Sequence, residues 1–206
     1  MVVSLRRSVA LTAAGAVLVY VVTWLGYRHD WAWLNPIDSS SLSALYHLGA
    51  DHPGWIRFWQ FVCTAFGPGA FRLLGALVVV ILLVRRQLRT ALFLVASVEL
   101  SGVITQAAKG LADRPRPETA LVVESSSSFP SGHALEVMVG VLALLSVLRP
   151  LLRRRLRSLA VVVGALVVLA VGFGRVALNV HHVSDVLAGW ALGYLYFLVC
   201  ALVFRR

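Results

Sequence analysis

Arg175-Val-Ala-Leu-Asn-Val-His181-His182-Val-Ser184-Asp185 lies at the join of two apolar runs, Ser158 to about Leu178 and Ser184 to Phe204. Each run is about the twenty residues needed to cross a bilayer. The polar groups between them therefore fall at one membrane face, and charge there is expensive unless it has a task. A histidine can attack an electrophile as a neutral imidazole if its second ring nitrogen is held so that the attacking one keeps its lone pair. With Ser184 capping the second helix, Asp185 lies one turn from His181, in reach of the far ring nitrogen. Arg175 then serves as an anion clamp.

Two further stretches supply complementary chemistry. Lys109-Gly-Leu-Ala-Asp-Arg114-Pro-Arg116-Pro117 opens on the only lysine among nineteen basic residues. Pro130-Ser131-Gly132-His133 opens another apolar run. Glycine permits close backbone approach, and free N–H groups at a helix N-terminus attract anions, so Ser131 and Gly132 are candidate anion binders. His133 stands at the mouth as a candidate acid.

Together these blocks resemble the signature of the type 2 phosphatidic acid phosphatase family, whose superfamily includes the vanadium haloperoxidases. Its pattern is Lys, six residues, Arg-Pro; then Pro-Ser-Gly-His; then Ser-Arg, five residues, His, three residues, Asp. Lys109, Arg116, Pro117, Pro130 to His133, Arg175, His181 and Asp185 match it. Gly174 departs from it, standing where the family usually has serine beside the phosphate. The resemblance implies a two-step hydrolysis without cofactor or metal. His181 attacks phosphorus while Asp185 orients it, and Lys109, Arg116, Arg175 and the backbone around Ser131 and Gly132 hold the equatorial oxygens. His133 protonates the leaving oxygen and then activates water.

The composition agrees with a membrane setting. Of 206 residues 59% are hydrophobic and 14% charged, and the mean hydropathy is +0.84. The formal charge of +10 sits in short clusters between apolar runs. That is an orientation signal, not a nucleic-acid footprint, and no soluble domain is present to carry such a role. Cys63 and Cys200 lie apart in apolar surroundings and read as small buried hydrophobes.

We therefore expect one all-α membrane domain over residues 1–206, with spans near 8–27, 70–84, 90–111, 132–148, 158–178 and 184–204. Residues 28–54 read as a loop with a short interfacial helix, and 118–129, with four serines, as a flexible connection. Placing both termini inside puts Arg6, Arg7, Arg85, Arg86, Arg89, the Arg149 to Arg157 cluster, Arg205 and Arg206 on the cytoplasmic side. Every motif residue then falls at the opposite, outer face of a multi-pass cell-membrane protein. Arg114 falls between the motif positions, His182 reads as lining or structural, Glu136 as tuning the acid or balancing arginines, and Glu99 as a protonated or hydrogen-bonded side chain between helices.

A site at the membrane face favours a lipid-borne phosphate, with polyprenyl diphosphate and phosphatidic acid ranked together. Phosphatidylglycerol phosphate, a soluble phosphate ester and a non-enzymatic lipid-binding or transport role are the alternatives. Loss of His181, His133 or Asp185 would favour the last, and all three are present.

Overall fold

The computed structural model describes residues 2–204 and, among them, no strand. The chain runs α1 (Val2–Arg28), α2 (Leu34–Gly49), α3 (Pro53–Ala65), α4 (Pro68–Val84), α5 (Leu88–Leu94), a π-helical turn (Val95–Glu99), α6 (Ser101–Ala112), α7 (Gly132–Leu148), α8 (Arg154–Ala177) and α9 (Val183–Val203). Five helical lengths are long and apolar enough to cross a membrane: Arg7–Arg28, Pro53–Val84, Leu88–Ala112, Arg154–Ala177 and Val183–Val203. The chain is a multi-pass helical membrane protein, and its outward side chains match, with Leu11, Leu73, Leu111 and Val84 all more than 70% exposed. Such a surface is stable against acyl chains.

The seventeen-residue α7 forms the axis of the bundle. Ala134, Leu135, Val137, Val139 and Ala143 along it are fully buried. The α7–α9 contact is close because Gly189 and Gly193, four apart on α9, face it. A Cβ at Gly189 would stand 2.6 Å from the Ser131 carbonyl oxygen, and one at Gly193 would stand 2.5 Å from that of Leu135. Small residues at this spacing let helix backbones touch where no hydrophobic drive favours association within lipid. Val137 and Val141 of α7 pack with Val168 and Val171 of α8, and Leu144 packs with Leu82, Phe93, Leu94 and Cys200.

The segment expected as a loop with a short interfacial helix, 28–54, is mostly helical, with sixteen residues in α2. Leu34, Asp38 and Leu42 form one buried stripe of α2 at helical spacing. The acid at its centre makes the stripe read as broken, because a carboxylate joins a buried face only when distant partners meet it. The α3–α4 joint is Gly67, where a Cβ would collide with the Cys63 carbonyl oxygen at 2.0 Å.

The turns after α4 and α7 carry Arg85, Arg86, Arg149 and Arg153. They lie at the ends of those helices remote from Lys109, His133, Arg175 and His181. Met1, Arg205, Arg206 and the side chain of Arg6, which also enter the orientation argument, lie outside the described residues.

Candidate active site

Two connections build the site: the 113–131 loop between α6 and α7, and the 178–182 turn between α8 and α9. Asp113 ends α6 in the left-handed region (φ 47°), and Pro115 and Pro117 prevent the helix from resuming. The loop is not the free connection its serines suggest. The Leu121 N–H donates to the Leu178 carbonyl (3.0 Å), that of Ser128 to Arg114 (2.7 Å) and that of Ser131 to Asp185 (3.0 Å). Thr119 donates to Asn179 of the facing turn (2.8 Å). The serine run holds the site's charges: the Ser127 carbonyl accepts from Lys109, the Ser126 carbonyl from Arg116 Nε (2.7 Å), and the Ser128 hydroxyl donates to Asp185. Those partners lie 10, 18 and 57 residues away, outside the run itself, so no local pattern in it reveals the order.

His181 is 1% exposed. Its Nε2 lies 3.3 Å from Nη1 of Arg116, and its Nδ1 lies 3.5 Å from Oδ2 of Asp185, with no hydrogen-bond partner among the described residues. A guanidinium only donates, so Nε2 is the accepting nitrogen and Nδ1 carries the proton on the Asp185 side. Burial lowers the imidazole pKa to about 4, the nearby carboxylate of Asp185 opposing and the guanidiniums of Arg175 and Arg116 assisting. At neutral pH the ring is uncharged, with its lone pair directed among cations. That arrangement suits attack on an anion with an electrophilic centre, such as a phosphate.

Asp185 is fully buried. Its Oδ1 accepts from Arg114 Nη1 (2.7 Å). Its Oδ2 takes the Ser128 hydroxyl and the backbone N–H of His182 (2.8 Å), with His182 Nδ1 at 3.2 Å. His182, not Ser184, is therefore the N-cap of α9, and Asp185 closes the cap from the third helical position. The Ser184 hydroxyl and backbone N–H instead donate to Asp38 at 2.5 and 3.0 Å. Arg114, ambiguous in sequence, bridges Asp38 (3.0 Å) and Asp185. Burial opposes its charge, but Asp185 and Asp38 together raise its pKa above the ordinary arginine value.

Around His181 the cations converge. Arg175, 4% exposed, pairs with Glu124 of the loop, whose second oxygen is 3.7 Å from Arg116. Burial raises the Glu124 pKa, yet the bond and charge of Arg175 together with Arg116 hold it below the usual carboxylate value. Burial lowers that of Arg116, Arg175 adding to it against the pull of Glu124. Lys109 is buried in the last turn of α6. His133, half-buried at the start of α7, faces His181 and the charges of Arg175, Arg116 and Lys109. The backbone N–H of Ser131, expected to meet the anion, is committed to the Asp185 carbonyl. Its hydroxyl is buried without a partner among the described residues. Gly132 allows α6 to approach, a Cβ there standing 2.9 Å from Thr105 Cγ2.

Gly174 faces away from this cluster. A Cβ would stand 2.8 Å from Cys63 Sγ and 3.0 Å from Trp59 Cε3, so α3 fills the space a serine side chain would need. Glu136 pairs with Arg72 of α4 and accepts from Thr105 (3.2 Å), tying α4, α6 and α7 together. Glu99 lies against Gly75, with Oε1 buried and unbonded among the described residues. Sequence reasoning missed Glu124, Asp38 and Ser126 to Ser128. The one signal for Glu124 is an acid standing directly before the Ser125 to Ser128 run.

Residues 90–206 match the sequence model of the PAP2 superfamily. The chain is 35% identical over 169 residues to phosphatidylglycerophosphatase B of Bacillus subtilis strain 168, covering 80% of this chain and 72% of that one. Its fold matches the crystal structure of a transmembrane PAP2-type phosphatidylglycerolphosphate phosphatase from Bacillus subtilis. The TM-score is 0.80 at 22% identity, over 93% of this chain and 95% of that one.

Proposed function

The chain belongs to the PAP2 superfamily and is a membrane lipid phosphatase, and from that premise we propose that it hydrolyses a lipid phosphate monoester through a phosphohistidine at position 181. The observation that carries this reading is the buried, neutral His181 with Nε2 turned to Arg116 at 3.3 Å and Nδ1 to Asp185 at 3.5 Å. His181 Nε2 attacks phosphorus in line with the departing ester oxygen, the N–P bond forming as the P–O bond breaks. His133 delivers a proton to that oxygen. Lys109, Arg116, Arg175, the Ser131 hydroxyl and the backbone N–H of Gly132 hold the equatorial oxygens. In the second step His133 takes a proton from water, the water oxygen attacks phosphorus, and His181 departs with its lone pair restored.

Charge favours a monoester. Lys109, Arg116 and Arg175 against Glu124 leave a formal surplus of two positive charges, the complement of a dianionic terminal phosphate. The 35% identical relative is a phosphatidylglycerophosphatase by name, which makes phosphatidylglycerophosphate the first substrate to test, ahead of phosphatidic acid and polyprenyl diphosphate. The arginine-bearing turns support an orientation with both termini in the cytoplasm and the site outside. A cysteine near Arg153 should then resist an impermeant label in intact cells while one near Ser127 reacts.

The test is phosphate release from these three lipids by the purified protein in chelator, with and without vanadate. Vanadate-sensitive release fastest from phosphatidylglycerophosphate is the expected result, since a cradle for a trigonal bipyramidal transition state binds its analogue tightly. Release abolished by chelator and restored by magnesium would contradict the proposed chemistry.

A further inference from the structure

We infer that Asp38 is a positioning residue for this reaction, acting through Arg114 and Ser184 on Asp185 and so on His181. The inference rests on the reading of His181 as nucleophile. Asp38 lies on α2, outside the residues 90–206 that match the family, yet it is 2% exposed and all its bonds lead to the site. Its Oδ1 accepts the Ser184 N–H (3.0 Å), and its Oδ2 accepts from the Ser184 hydroxyl (2.5 Å) and Arg114 Nη2 (3.0 Å). Arg114 Nη1 reaches both the Ser184 hydroxyl and Asp185 Oδ1, each at 2.7 Å. The Tyr27 ring closes the other side of the guanidinium, 4.7 Å from its carbon to the ring centre.

A buried ion pair is weak evidence for stability, because desolvation offsets most of the attraction. Three charges in a row have a different consequence. Arg114 alone against Asp185 would cancel the carboxylate that faces His181. Asp38 restores a net charge of minus one to the row, and attack on phosphorus makes the imidazole ring positive. The row therefore stabilises the ring more strongly in the transition state than in the ground state, which is the condition for raising a rate instead of an affinity. Asp38 also fixes Ser184 at the first turn of α9, and with it the rotamer of Asp185.

Asp38→Asn keeps the size and an acceptor for the Ser184 N–H while removing the charge. With a radiolabelled aryl phosphate and rapid quench, phosphorylation of His181 should slow by about 10- to 100-fold, as loss of an outer partner does at other preorganised sites. KM should stay within about twofold, since the group touches no substrate. In an Asp185→Asn background the same change should cost little more, because the path through Asp185 is already broken. Arg114→Lys, which cannot bridge two carboxylates as a fork, should reproduce the slow phosphorylation and serves if Asp38→Asn fails to accumulate. Label found on a residue other than His181 in the unmodified chain would overturn the nucleophile assignment itself. Label on His181 formed at the unmodified rate in Asp38→Asn, or a full additional loss in the Asp185→Asn background, would overturn the role of Asp38 and leave the nucleophile standing. A lowered melting temperature with unchanged phosphorylation per folded molecule would mark a structural tie only, and would equally overturn it.

Discussion

Glu124 pairs as a carboxylate with Arg175, a proposed phosphate-binding arginine, its second oxygen 3.7 Å from Arg116. Two of the three cations proposed for the cradle are thus partly neutralised by Glu124, and a dianion bound to them competes with it. Glu124→Gln removes the competing charge while keeping the side-chain shape. The expected outcome is tighter inhibition by vanadate and a lower KM, each by about three- to tenfold, or roughly 1 kcal/mol for a half-buried charge. Inhibition curves on the variant check it. Weaker vanadate binding would mean that Glu124 supports the arginines instead of opposing the ligand.

His181 makes stability depend on pH in one direction. Its pKa is about 4 in the folded chain and about 6.5 in an unfolded one. Between those values the unfolded state holds the extra proton, so stability falls as pH falls from about 6.5 to 4 and is fully present above that window. For a completely buried ring the loss is on the order of 3 kcal/mol. Thermal melts from pH 4 to 7 should show this slope in the native sequence and a shallower one in His181→Asn.

Gly174→Ser, which restores the usual family residue, should not improve the enzyme. The added atoms meet Cys63 and Trp59 of α3 at 3.0 Å or less, and overpacking of this kind costs about 1–3 kcal/mol. The melting temperature should drop while kcat of the folded protein stays near the original. A gain in kcat would mean that the hydroxyl reaches the phosphate after all.

Much of this was legible in sequence because it is written in periodicity and spacing. Apolar runs at bilayer length mark the helices, and the motif spacings mark the charged groups at the α6, α7, α8 and α9 ends. Where reading failed, the cause was a partner distant in the chain. Asp38 breaks the apolar stripe of α2, and only Arg114 and Ser184, more than seventy residues away, explain its burial. Ser126 to Ser128 read as a flexible run because their ligands are Arg116, Lys109 and Asp185. Ser184 satisfies the rule for a helix cap, yet the cap fell to His182 because Asp38 already occupied the serine hydroxyl.

The two histidines should separate by leaving group. His133→Ala should retain phosphorylation from an aryl phosphate, whose oxygen leaves as a stable anion, while losing at least about 100-fold on an alkyl lipid phosphate that needs a proton. Burst-phase kinetics on both substrates check it. Equal losses on the two would remove His133 from the acid role.

The most direct test of the central claim is to trap the phosphoenzyme. His133→Ala given a radiolabelled aryl phosphate and quenched within milliseconds should accumulate an acid-labile, base-stable label, because the second step lacks its base. Peptide mapping should place that label on His181, and His181→Ala should abolish it. Label on Ser131, or substantial turnover by His181→Ala, would contradict the account.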